Sequence, residues 1–199
     1  HVTGSAQVIL DVQEKGRKFR WLFSGDVGRG ADELLRDPAP VENVDYLQIE
    51  STYGNREHAP RIDADAILAQ LVSETIAQRG KIIIPAFSVG RTQQIVYVLH
   101  ELICAGKLPR LPIFVDSPLS TKASEIYTKH LDDLKPDLRA TLCNQESPFE
   151  MKNPTYIRDA EESKKLNDRH ESMVIISASG MAEAGRIRHH LKNNISDKK

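Results

Sequence analysis

At 199 residues the chain is long enough for one large domain, or for one domain and part of another. Apolar residues make up 40% and charged residues 28%, which implies a globular core, and a net charge of −1 excludes a global basic field for nucleic acid. No apolar run approaches the ~18 residues of a membrane span, no signal peptide is evident, and Cys104 and Cys143 form neither a disulfide framework nor a Cys-x-x-Cys knuckle, a pattern consistent with a reducing, cytoplasmic setting.

Residues 6–12 and 19–24 read as two strands joined by the polar turn Gln13-Glu14-Lys15-Gly16, an antiparallel hairpin in which Trp21 belongs to the core. After the Pro-rich connection Asp37-Pro38-Ala39-Pro40, residues 44–49 read as a third strand ending at Glu50. From residue 54 the rhythm changes: Ala64, Ile67, Leu68, Leu71, Val72 and Ile76 keep the spacing of an apolar helix stripe stopped by Gly80. A strand over 81–87 follows, then a stripe of Ile95, Val98, Leu99, Leu102 and Ile103 stopped by Gly106, and a strand over 113–115. Ser117-Pro118 has the hydroxyl-then-proline order of a helix start. The stretch 136–156 is mostly loop, 157–167 a polar helix, 173–176 a strand, and 181–195 a helix with Ala184, Ile187 and Leu191 facing inward. Strands alternating with helices imply parallel strands. The chain therefore divides near residue 54 into a sheet-rich part and a three-layer α/β unit, and it reads as a piece of a longer protein.

Three of the strand-to-helix junctions end in hydroxyl- or glycine-rich turns: Ala86-Phe87-Ser88-Val89-Gly90-Arg91, Val115-Asp116-Ser117-Pro118 and Ser177-Ala178-Ser179-Gly180-Met181. If their strands are parallel neighbours, the turns share one edge of one sheet, where open α/β sheets bind ligands. Helix N-termini there present N–H groups and partial positive charge, which suit phosphate. The same hydroxyls also suit simple helix capping. Basic candidates for a nucleic-acid partner are Arg91, Lys122, Arg186, Arg188 and Lys192, residues that equally suit a solvated helix face. In the first part, His1, Asp26 and Glu50 flank strands at turns rich in Gly or Ser; histidine and carboxylates are the ligands of a hydrolytic zinc site. Singly, each also reads as an ordinary turn or cap residue.

The motifs taken in order are His1-x-x-Gly4-Ser5-Ala6, Phe23-Ser24-Gly25-Asp26-Val27-Gly28, Glu50-Ser51-Thr52-Tyr53-Gly54, Ile84-Pro85-Ala86-Phe87-Ser88-Val89-Gly90-Arg91-Thr92-Gln93, Asp116-Ser117-Pro118-Leu119, and Ser179-Gly180-Met181 with Gly185-Arg186. This series resembles the β-CASP group of RNA-processing nucleases in the metallo-β-lactamase superfamily. The resemblance implies part of a metallo-β-lactamase sheet over 1–54 and an α/β/α β-CASP domain with a mainly parallel sheet over 55–199. It implies that the intact parent is a zinc-dependent hydrolase cleaving RNA phosphodiester bonds with two zinc ions. His1 and Asp26 then match metal ligands, Asp26 bridging both ions, and Asp26 and Glu50 are the catalytic candidates. RNA phosphates would meet Ser88, Gly90, Arg91, Ser179, Gly180 and Arg186.

The His-x-His-x-Asp-His signature of the group does not occur in the chain, so these residues alone are expected to be inactive and to hold no zinc. His189 and His190 are expected on the helix surface or on the RNA side. RNA is the expected partner, with no membrane, and a homodimer is compatible. The competing reading is a non-catalytic α/β phosphate- or nucleotide-binding module. The region before residue 54 argues against it, as does the lack of a Gly-x-Gly-x-x-Gly turn or a Gly-x-x-x-x-Gly-Lys-Ser/Thr loop. A hydrolase of small esters or lactams has no need of the α/β unit.

Overall fold

The computed structural model describes residues 2–28, 30, 32–57, 64–136, 138, 142, 147–150 and 153–197. The chain forms two compact units, one of residues 1–62 with 133–136, the other of 63–132 with 137–199.

In the first unit β1 (Val8–Glu14) and β2 (Arg17–Phe23) pair antiparallel, with Glu14 opposite Arg17 and Val8 opposite Phe23. The connection is only Lys15 and Gly16, both at positive φ (47° and 78°). That backbone twist matches the strands it joins, so the hairpin is tighter than a four-residue turn. β3 (Tyr46–Gln48) lies parallel to β2, with Phe23 opposite Gln48. The Arg20 guanidinium grips the cross-strand Asp11 carboxylate at 2.8 and 3.1 Å, and the Arg20 amide donates to Asp45 Oδ2. Trp21 is not core: it is 38% exposed and stacks on Phe23 at 4.8 Å. Val8, Ile9 and Leu10 are exposed as well, and successive strand residues point to opposite faces, so both faces of this sheet carry uncovered apolar side chains. Leu34 and Leu134 are the most buried residues of this unit, with the Lys135 amide on the Leu34 carbonyl.

The second unit is built on a parallel sheet in the order β4-β7-β5-β6, with β4 Lys81–Pro85, β5 Ile113–Asp116, β6 Thr155–Tyr156 and β7 Met173–Ser177. Met173 to Ile176 are fully buried, as parallel strands covered on both faces require. Its helices are α1 (Ala64–Ala77), α2 (Arg91–Cys104), α3 (Pro118–Lys129), α4 (Ala160–Asp168) and α5 (Ile187–Asn194). α1 and α5 pack on β4, and α3 packs on β5. Phe114, Ile157, Leu166, Met173 and Ile175 form one buried cluster.

The helix starts follow local chemistry. Ser117 Oγ accepts the Ser120 amide at 3.1 Å with Pro118 at the first helical position, and Asp159 Oδ1 accepts the Glu161 and Glu162 amides.

Four further details depart from the sequence reading. Only Val72 of the α1 stripe is buried, while Ile67 and Leu71 are about half exposed. β6 falls in the stretch read as loop, because it is two residues long and directly follows Pro154. The last helix begins at Ile187 rather than 181, since Ala182 and Gly185 take left-handed φ values of 56° and 80° and break any helix there. Cys104 is disulfide-bonded, although the cysteine spacing gives no reason to expect it and argues for a reducing compartment; its partner lies outside the described residues. Among the described residues no helix is long and apolar enough to cross a membrane.

Candidate functional site

Because β7 lies between β4 and β5, the three hydroxyl- and glycine-rich turns do share the C-terminal edge of one sheet. The turn after β4 continues the ladder by one bond, Ala86 N–H to Ser177 O at 3.0 Å. It then folds onto the first turn of α2: the Phe87 carbonyl accepts the Thr92 hydroxyl at 2.8 Å and the Thr92 amide at 3.2 Å. Fully buried Gln93 locks it further. Its Oε1 accepts the Gly90 amide at 2.7 Å, and its Nε2 donates to Ser124 Oγ on α3 at 3.0 Å and to the Ser88 carbonyl at 3.3 Å. Ser88 Oγ stands 3.2 Å from Ser117 Oγ, joining the β4 and β5 turns.

The turn after β7 is a closed loop, residues 178–186. Ser179 directs both its amide and its hydroxyl to the Ala184 carbonyl, at 3.2 and 3.3 Å. Gly180 sits against Phe87, where a Cβ would lie 3.0 Å from the ring and 3.1 Å from the backbone nitrogen. At Gly185 a Cβ would come within 2.4 Å of the Ala178 carbonyl oxygen, at a φ of +80°. Gly185→Ala is therefore expected to cost upward of ~1 kcal/mol of stability, read by urea denaturation; a variant as stable as the parent would show that the loop closes without this contact.

Beneath the edge lies a buried polar cluster that joins Arg186, read from the sequence as a phosphate contact, and His190, read as a surface residue, to Asp116. The Asp116 carboxylate, at the end of β5, is fully buried. Its Oδ1 accepts Arg186 Nη1 at 2.7 Å; its Oδ2 accepts His190 Nε2 at 2.7 Å and Ser163 Oγ at 2.5 Å. Burial by itself raises the pKa of this carboxyl, but the bonds from His190, Ser163 and Arg186 outweigh it and hold the group below the usual carboxylate value. His190 Nδ1 faces Asn167 Oδ1 at 3.1 Å, an oxygen that also accepts from Asn194 Nδ2. Arg186 reaches further, with Nη2 on the Arg158 carbonyl at 2.8 Å and Nη1 near the Ile157 carbonyl.

The expected phosphate contacts are thus placed as follows. Ser88, Ser179 and Gly180 are half-buried on the edge, and Arg91 is exposed beside them with Nη1 on Gln94 Oε1 at 2.8 Å. The Gly90 amide is engaged by Gln93, and the Arg186 guanidinium by Asp116 and two carbonyls. His190 is not on the surface but fully buried, because its ring fills the space between Asp116 and Asn167; His189 is exposed. The edge also carries exposed apolar side chains that composition hid: Phe87, Val89, Leu119 and Met181, the last 67% exposed.

In the first unit the parallel pairing of β2 with β3 brings Asp26 and Glu50 to the same edge, each just past a strand end. Buried Ser24 joins the two turns: its amide donates to the Gln48 carbonyl at 2.9 Å, and its Oγ accepts the Glu50 amide at 3.2 Å. Gly25 has a φ of +55°, and a Cβ there would meet the Ala6 carbonyl oxygen at 2.8 Å, so only glycine makes the turn that carries exposed Asp26. Glu50 Oε2 caps its own turn, accepting the Thr52 amide at 3.0 Å. His1 lies outside the described residues. Among the described residues no group of three or more His, Cys, Asp or Glu gathers to hold a metal.

Comparison with known proteins bears on this architecture directly. Residues 92–199, more than half of the chain and most of the second unit, match the Beta-Casp domain family. The chain belongs to the β-CASP family. The β-CASP chain is 34% identical over 197 residues to Ribonuclease TTHA0252 of Thermus thermophilus, covering 99% of this chain and 44% of that protein. It is 35% identical over 195 residues to an RNase J-like protein of Methanocaldococcus jannaschii, 96% of this chain and 44% of that one. Against Cleavage and polyadenylation specificity factor subunit 3 of Dictyostelium discoideum it is 31% identical over 201 residues, 100% of this chain and 25% of that one. The β-CASP chain thus spans less than half the length of these relatives. They bear out the resemblance to RNA-processing nucleases of the metallo-β-lactamase β-CASP group.

Proposed function

We propose that the whole protein containing this chain is a metal-dependent hydrolase that cleaves RNA phosphodiester bonds, and that the C-terminal edge of the second unit's sheet binds the RNA backbone. The observation that carries this is the convergence of three Ser- and Gly-bearing turns on adjacent parallel strands, in a chain similar to proteins named for ribonuclease activity. Ser88 and Ser179 offer hydroxyls, Gly180 offers backbone that phosphate can approach closely, and Arg91 offers an exposed guanidinium suited to bidentate phosphate contact. Gly90 shapes its turn, and Arg186 supports the edge from beneath. Exposed Phe87 and Met181 give unstacked bases an apolar surface beside those donors.

Asp26 and His1 are proposed as metal ligands with Glu50 alongside, the remaining ligands coming from outside this chain, and zinc is the metal. A bound metal would supply Lewis-acid stabilisation of charge on the phosphoryl oxygens. A cytoplasmic setting is proposed from the likeness to ribonucleases and not from the cysteines, since Cys104 is disulfide-bonded.

The test is incubation of the full-length protein with a 5′-labelled single-stranded RNA, with chelator and with zinc restored. Cleavage that stops on chelation and returns with zinc is expected. RNA bound but left intact in zinc would overturn the hydrolase and favour a non-catalytic binding module.

A further inference from the structure

Asp116 stands at the junction of four elements. It ends β5, takes Ser163 from α4 and His190 from α5, and takes Arg186 from the last residue of the loop that follows β7. Arg186 in turn reaches the Ile157 and Arg158 carbonyls just past β6. The other root of that loop is tied to the same place, since Ser177 Oγ donates to the Asp116 carbonyl at 3.1 Å. Both ends of the loop carrying Ser179 and Gly180 are therefore fastened to one residue. Within the loop, the Ser179 amide on Ala184 and the Ile187 amide on Ala178 leave little freedom once its ends are fixed.

Buried charge clusters of this kind are weak evidence for stability, because well-packed apolar residues of similar volume often do as well or better. What the cluster adds is orientation. Two nitrogens and a hydroxyl converge on two carboxylate oxygens in one arrangement, and shifting Arg186 would break its bonds to Asp116 and to the Ile157–Arg158 segment at once.

We propose that Asp116 is a positioning residue for RNA cleavage: acting through Arg186 and His190, it holds the Ser179–Gly180 loop against the sheet edge in the pose that receives an RNA phosphate. The inference rests on the reading of this edge as the RNA surface. It moves Arg186 from direct phosphate contact to support.

The experiment uses the full-length protein with Asp116→Asn, Arg186→Gln, the double variant, and Val72→Ala as a control that opens the core under α1, an element that lends no side chain to the Asp116 cluster. In steady-state RNA cleavage, Asp116→Asn and Arg186→Gln are each expected to raise KM roughly tenfold or more while kcat changes little, the signature of lost substrate binding. The double variant should be no worse than the poorer single variant, because the two residues act as one device. Val72→Ala should lower the folded fraction and leave KM unchanged. Wild-type KM in either single variant, or effects that multiply in the double variant, would overturn the proposal. Arg186 is less buried than Asp116, so Arg186→Gln decides the matter if Asp116→Asn fails to fold.

Hydrogen exchange over residues 178–186 reads the loop without any activity: faster exchange in Arg186→Gln than in the parent is expected, and unchanged exchange would sink the inference. Failure of the wild-type protein to cleave RNA would instead count against the function on which the inference rests, leaving the exchange result to judge the loop.

Discussion

Asp26→Ala in the full-length protein is expected to abolish RNA cleavage while leaving the fold and RNA binding intact. The Asp26 side chain is exposed at a strand end, on a turn that only glycine at position 25 can make. Its removal takes little packing with it. Under the proposed function it is a metal ligand, and the charge stabilisation a metal supplies to phosphoryl oxygens is worth several kcal/mol. At 1.36 kcal/mol per tenfold change, that corresponds to a loss on the order of 10³ or more. The check is single-turnover cleavage of labelled RNA, with circular dichroism and RNA-binding titration as controls. Turnover within about tenfold of the parent would remove Asp26 from the reaction, since losses at that level are what a supporting residue gives.

The second large effect is on stability. Asp116→Ala leaves Arg186 and His190 beneath the sheet edge without their acceptor, and removing one partner of a buried pair costs about 3–5 kcal/mol. The effect has a pH signature. Asp116 is held below its ordinary value in the folded chain, so its contribution is fully present above the unfolded carboxylate pKa of ~3.9 and fades as pH falls through the lower folded value. Denaturant titrations should therefore show the largest gap between parent and Asp116→Ala near neutral pH and a shrinking gap below about pH 4. A gap that stays constant from pH 7 to pH 3 would mean that the carboxylate charge contributes nothing and that the loss is packing alone.

The parts of this molecule that were legible in the sequence are those governed by local chemistry. Ser117-Pro118 starts α3 as its residue types require, and the apolar runs at 81–85, 113–116 and 173–177 form the parallel sheet. Convergence of the three turns was legible only on the condition that their strands are parallel neighbours, which the order β4-β7-β5 meets. What stayed hidden depends on partners distant in sequence. Asp116 lies in a quoted motif, but its meaning comes from Ser163, Arg186 and His190, up to 74 positions away. His190 looked like its neighbour His189 because a run of polar residues on a short helix does not say which one turns inward. The engagement of the Gly90 amide by Gln93 likewise depends on the exact path of the turn. In the first unit Trp21 looked like core because strand patterning cannot show whether a sheet face is covered.

The central claim, that RNA lies along the C-terminal edge of the second unit's sheet, is tested most directly by photocrosslinking. The full-length protein with Asp26→Ala, bound to single-stranded RNA carrying 4-thiouridine, would be irradiated and the adducts mapped by mass spectrometry. The account predicts adducts in the peptides containing Phe87 and Met181, reduced when Arg91→Ala is added. Bound RNA that crosslinks only to peptides outside the turns at 86–91, 116–119 and 178–186 would contradict it.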